Sequence, residues 1–155
     1  MTKQARPLLL WLLAFCLLIL GIGGFYGGIN FLTDPTGASI GMAGDYLAKL
    51  PVPSYQLPGL FLVIVFGVLP FFLLYSLLTR PRSELLKPLT RMFHEHWAWG
   101  ATLLLGILVL GWMVVQIAYI GMSAPIQYVI LVLGVLIVGL DLLPSLRRYF
   151  EESSS

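Results

Sequence analysis

Residues 80–96 read RPRSELLKPLTRMFHEH, and the arrangement of the whole chain follows from them. The stretch holds Arg80, Arg82, Lys87 and Arg91, out of nine Lys and Arg in all. Long apolar runs lie on both sides of it. A short connector rich in Lys and Arg between two membrane spans stays on the cytoplasmic side, because such loops are not translocated. Every other segment takes its side from this one.

The flanking runs are too long for a soluble core. Hydrophobic residues make up 59% of the chain and charged residues 10%, against about 25% charged in ordinary soluble domains. The mean hydropathy of +0.93 agrees. No Asp, Glu, Lys or Arg occurs between Arg6 and Asp34, between Lys49 and Arg80, or between Glu95 and Asp141. A bilayer core about 30 Å thick takes about 20 helical residues per crossing. The first two runs each hold one crossing. The third is more than twice that length, and Gly121-Met-Ser-Ala-Pro125 interrupts it with turn chemistry.

The expected fold is therefore all-α: a polytopic membrane protein, a four-transmembrane-helix bundle with spans at about 8–28, 59–79, 97–120 and 127–143. Residues 1–150 form one domain, with an outer loop over 30–58, a cytoplasmic connector over 80–96 and a tail at 151–155 with no basis for order. Lys3, Arg6, the four connector cations, Arg147 and Arg148 all fall inside, leaving Lys49 outside, so both termini are cytoplasmic. Tyr26, Tyr46, Tyr55, Tyr119 and Tyr128 would line the outer interface, and Trp11, Tyr75, Trp97, Trp99 and Tyr149 the inner one.

Local signals refine this outline. The run Leu8–Leu20 continues into a glycine-rich stretch without an A-x-A cleavage site, as in a retained signal anchor. Gly23-x-x-x-Gly27 and Gly24-x-x-x-Gly28 let another helix of the same bundle approach closely. Gly100, Ile107, Gly111 and Ala118 form the corresponding stripe on the third span. Pro70 should kink the second span. In the outer loop, Asp34-Pro-Thr-Gly37 is a turn, and Ile40, Tyr46, Leu47 and Leu50 share a face of a short helix in which Asp45 and Lys49 pair. The connector carries an amphipathic piece, with Leu85, Leu89 and Met92 toward lipid and Lys87 and Arg91 toward phosphate headgroups.

Chemistry is sparse. The formal charge of +2 is spread beside spans, which excludes a nucleic-acid footprint. Cys16 is alone and inside a span, so no internal disulfide forms and no CxxC redox centre exists. His94-Glu-His96 does not make a metal site, since helical residues two apart point about 200° away from each other. The expectation is an interfacial histidine pair, with no metal and no cofactor. Asp141 is the carboxylate nearest a span interior, and Arg147, Arg148 or Lys3 would neutralise it.

The outer polar residues are the candidate site: Asp34, Asp45, Tyr55, Gln56, Trp112, Gln116, Tyr119, Gln127 and Tyr128. Trp112, Gln116 and Tyr119 share a helical stripe, and an amide in lipid must find a partner, which Gln127 across the turn can supply. Such a cluster lines a polar pocket for a lipid-like or small amphipathic ligand, or else holds the helix hairpin together. Asp34 and Asp45 have local partners, so a catalytic carboxylate pair is the lesser reading.

Asp34-Pro-Thr-Gly37 with Gly41-Met42, Tyr55-Gln-Leu-Pro-Gly59 opening a span, and Trp112-x-x-x-Gln116 together resemble a group of small bacterial four-span membrane proteins, similar in size and layout to DoxX-like proteins. The resemblance implies a four-helix membrane fold in a bacterial inner membrane and brings no activity with it. The favoured reading is a binding or accessory protein in contact with membrane lipids, and with a second copy or a partner membrane protein. The alternatives are a small membrane enzyme acting on a lipid or quinone-like substrate, and a subunit of an oligomeric transporter.

Overall fold

The computed structural model describes residues 8–42, 44–79 and 96–151, without the side chains of Asp45 and Glu151. The connector with its amphipathic piece, His94 and the chain ends lie outside these residues. The described residues contain helices and turns and no strand. In chain order they are α1 (Leu8–Thr33), a 3₁₀ turn (Ala38–Ile40), α2 (Asp45–Ala48), α3 (Gln56–Thr79), α4 (Trp97–Ile120), α5 (Pro125–Asp141) and α6 (Pro144–Glu151).

Three helices, α1, α3 and α4, are long and apolar enough to cross a membrane. The 17 residues of α5 satisfy the same test only together with α6, from which α5 is bent by 64°. Pro144 explains the break: its ring cannot follow an uninterrupted helix, and it restricts the residue before it. The expected fourth span therefore ends at Asp141 rather than 143, and the chain continues into a further helix ahead of the tail expected at 151–155. On α6, Leu146, Tyr149 and Phe150 are buried while Arg147 and Arg148 are exposed. The i, i+3, i+4 spacing places the three apolar side chains on one face.

α1 and α3 run antiparallel with their backbones in contact. Gly21 faces the Phe71 ring, Gly24 the Phe66 carbonyl, and Gly28 both Val63 and the Gly59 carbonyl. A Cβ at Gly24 would overlap the Phe66 main chain, so only glycine fits there. Lipid is as apolar as leucine, so helix association in a membrane depends on close van der Waals contact more than on burial. Glycine supplies that contact. The Gly24-x-x-x-Gly28 spacing thus serves packing within the chain, while Gly23 faces open space.

In α3, residues Leu62–Val68 are wound as a π-helix, with the Leu69 N–H reaching the Ile64 carbonyl. Pro70 follows immediately and has no N–H to offer the preceding turn. The wider turns stand just before the proline at which a kink was expected. The helix also begins earlier than expected, at Gln56, because Pro58 falls in the first turn, where its missing N–H has no intrahelical acceptor.

α4 and α5 form the second antiparallel pair. Gly106 lies against Ile137 and Val138, and Gly134 against Val109 and Leu110. This corrects the expected stripe on α4: Gly111 faces open space, and Ile107 and Ala118 are exposed. The two hairpins join where Phe72 stacks on Trp97 and where Trp112 meets Phe61 and Phe66.

The aromatic belts divide. Tyr26, Tyr119, Tyr128, Trp11 and Tyr75 are exposed on the helix surfaces. Tyr55, Trp97, Trp99 and Tyr149 are buried instead, because each has a packing partner inside the bundle.

Candidate functional site

The loop end of the bundle is organised by Asp34. Its Oδ1 accepts from the Thr36 N–H at 3.1 Å and the Thr36 hydroxyl at 2.6 Å, and its Oδ2 accepts from the Ser39 N–H at 2.8 Å. The Gly37 N–H closes the turn on the Asp34 carbonyl at 3.0 Å. These donors, the Thr36 hydroxyl first and the Ser39 amide next, hold the Asp34 carboxyl below its ordinary range. Asp34 is thereby committed to its turn. Gly37 follows with φ of 75° and lies on the Tyr55 ring, which leaves no room for a side chain.

Tyr55 is the anchor of the loop. Its ring stacks on Phe31 with centroids 4.4 Å apart, and its N–H donates to the Pro35 carbonyl at 2.9 Å. Only 3% of the residue is exposed, and its hydroxyl has no hydrogen-bond partner. Burial pushes that hydroxyl's pKa up, with Tyr46 adding a smaller effect. Ile40, Met42, Leu47 and Leu50 pack against the core, but not from the single helical face expected: Ile40 belongs to the 3₁₀ turn, α2 spans only Asp45–Ala48, and Gly41 and Gly44 with φ of 71° and 76° separate the two. Lys49 lies 5.7 Å from the centroid of the Tyr46 ring. The Asp45 side chain is outside the described residues, so its pairing with Lys49 is too.

Trp112 and Gln116 stand one turn apart on α4. The Trp112 indole stacks on Phe61 at 4.9 Å and meets Phe66 edge-on at 6.2 Å. Its Nε1 and the Gln116 Oε1 are both buried without a partner. Tyr55 opens the helix that carries Phe61, six residues on, which amounts to about 9 Å of helix rise.

Gln127 does not join them. Its Oε1 accepts from the Ser123 and Ala124 N–H groups at 2.7 and 2.9 Å, and its Nε2 donates to the Gly121 carbonyl at 3.0 Å. As the third residue of α5 it reaches back over the turn that precedes the helix, the glutamine half of a capping box. The expected bond between Gln116 and Gln127 is replaced by these local ones, because free backbone amides at a helix start are nearer than another helix. Gln56, Tyr119 and Tyr128 are exposed. Of the eight candidates whose side chains are described, the structure therefore leaves Tyr55, Trp112 and Gln116 with unmet bonding capacity inside the protein. A shallow depression of about 510 Å³ on the loop, lined in part by Thr36, Leu47, Leu50 and Pro53, includes none of the nine.

The opposite end holds His96, Trp99 and Asp141. His96 caps α4, its Nδ1 accepting from the Ala98 N–H at 3.3 Å, and it is buried near Trp97 and Phe150. The expectation of an interfacial histidine is corrected for this residue. Trp99 donates from Nε1 to the main-chain carbonyl of Asp141 at 2.9 Å. That carbonyl is left over where α5 breaks, and the indole satisfies it. The Asp141 side chain has no exposed surface and neither oxygen has a partner. Of the three cations expected to neutralise it, Arg147 lies over the Trp99 ring, 5.9 Å from its centroid, Arg148 is exposed, and Lys3 is outside the described residues. Among the described residues, no three His, Cys, Asp or Glu side chains come together as a metal would need. No protein-family model, curated protein or solved structure matches this chain.

Proposed function

We propose that this chain is a four-span integral membrane protein of the bacterial inner membrane, with both termini cytoplasmic, that binds a lipid-like or small amphipathic ligand at the end of the bundle capped by residues 34–55. It acts as a binding or accessory protein rather than a catalyst. The Lys and Arg distribution supports the orientation, and the likeness in layout to DoxX-like proteins belongs to this same reading. α5 makes the fourth crossing, at the short end of the range for a spanning helix.

One observation carries the binding reading. Tyr55 Oη, Trp112 Nε1 and Gln116 Oε1 are all buried without partners at the same end of the bundle. A buried donor or acceptor left unmet costs about 1–3 kcal/mol, so three of them together favour an occupant that meets them. The indole N–H only donates, the amide oxygen only accepts, and the phenol does either. A hydroxyl or carbonyl headgroup among aromatic side chains suits that set. Phe31, Phe61 and Phe66 supply the apolar walls.

The test is the lipid and small-molecule complement of the purified protein, read by native mass spectrometry, for wild type and for Tyr55→Phe, Trp112→Phe and Gln116→Leu. Tyr55→Phe removes the hydroxyl alone, Trp112→Phe removes the indole N–H together with part of the ring, and Gln116→Leu removes both polar atoms of the amide. Folded variants that lose a co-purifying molecule by about tenfold, the worth of one 1.4 kcal/mol contact, support the reading. An unchanged complement in all three folded variants overturns it.

A further inference from the structure

We propose that Asp141 is a proton-binding site, and that α6 packed beneath the bundle is its proton-bound form. Three observations meet at this residue. Its carboxyl is entirely buried with both oxygens unpartnered. It is the last residue of α5, directly before the 64° break at Leu142 and Leu143. Beyond the break, α6 buries Leu146, Tyr149 and Phe150 on the bundle.

A carboxylate charge in such a place needs a counter-ion, hydrogen-bond donors or water, and without them it is several kcal/mol out of balance. A proton is the ligand that resolves this without any cavity. The packed arrangement is therefore that of the neutral acid. Ionisation calls for water at the carboxylate, and the break beside it is the natural place for the structure to yield. α6 buries Leu146, Tyr149 and Phe150, while Arg147 and Arg148 on its other face are already exposed. Trp99 holds the Asp141 carbonyl and keeps the end of α5 in place while α6 leaves.

The elements packed on α5 are α1, α4 and α6. Their titratable and charged groups are Cys16 and Tyr26 on α1, His96 and Tyr119 on α4, and Arg147, Arg148, Tyr149 and Glu151 on α6. Tyr26 and Tyr119 stand at the far end and are exposed. His96 is the competing explanation, since its ring lies 6.5 Å from that of Phe150 between centroids.

The docked state binds one more proton than the released state, so docking is favoured at low pH and weakens as pH rises. The experiment is amide hydrogen exchange of residues 146–150 in the full chain, reconstituted in phospholipid nanodiscs, corrected for intrinsic exchange and followed across about pH 5 to 9. Protection in wild type falls with rising pH, by up to about tenfold per pH unit in the titrating range. Asp141→Asn stays protected throughout, Asp141→Glu restores the fall, and His96→Gln keeps it. Flat protection in wild type, an unchanged fall in Asp141→Asn, or loss of the fall in His96→Gln would overturn the proposal. If Asp141→Asn does not fold, Asp141→Glu decides: a fall displaced along the pH axis supports the site, and an undisplaced one refutes it.

Discussion

Two buried polar side chains stand at opposite ends of α5. Gln127, at the start, is 3% exposed, and its amide makes three hydrogen bonds to the turn that introduces the helix. Asp141, at the end, has no exposed surface and no hydrogen bond to its carboxyl. Burial alone does not distinguish them; unmet bonding capacity does. The glutamine shapes the chain, and its chemistry is used up in doing so. The aspartate is held in place by its neighbours without being satisfied by them, as groups that respond to a ligand or a proton are. The same contrast separates Asp34, fully used in its turn, from Trp112 and Gln116.

The contrast breaks most visibly at Gln127. Gln127→Leu leaves two N–H groups and one carbonyl of the turn without their partner, at about 1–3 kcal/mol for each that stays buried. The expected loss is about 2–4 kcal/mol, read from thermal or denaturant unfolding in bicelles. A loss below about 0.5 kcal/mol would mean water already serves these groups. At the other end, Asp141→Asn removes a potential charge that nothing compensates. Its stability at neutral pH should match or exceed wild type, by up to about 1 kcal/mol, in the same measurement. A strong loss would reveal a partner and erase the difference between the two ends.

Trp112→Phe sharpens the comparison at the loop end. The substitution removes the unpartnered N–H together with part of the ring packed on Phe61 and Phe66, two changes of opposite sign, so unfolding should shift by less than about 1 kcal/mol. The smallest effect is expected at Asp34. Its carboxyl titrates below the ordinary value when folded, so its contribution is present above about pH 4 and is lost as pH falls through the lowered value. Exchange of the Ser39 amide should speed up in that acid range in wild type. In Asp34→Asn it should be faster at neutral pH and show no such acid step. An acid step that survives the substitution would assign it elsewhere.

Much of this was legible in the chain, and the boundary is physical. The glycines at 24 and 28 announced a close helix contact through their spacing, and Asp34-Pro-Thr-Gly37 announced its turn, because both signals are local. The role of Gly106 in place of Gly111 was not legible, since a stripe of small residues does not say which face the neighbour takes. Trp97 and Trp99 looked like interfacial anchors by position. They are core residues because Phe72 and the carbonyl end of α5 lie against them. The candidate site was readable as a set of residue types, yet only contacts separated the satisfied glutamine from the unsatisfied one.

By itself the sequence determined the class of the molecule. Charge-free runs long enough to cross a bilayer, turn residues between them, and cations concentrated beside those runs follow from composition and order along one dimension. Tertiary structure alone decided which polar groups are answered and which are not. Whether a buried donor or acceptor has a partner depends on atoms brought within about 3 Å of it by other helices, and no spacing along the chain records that distance.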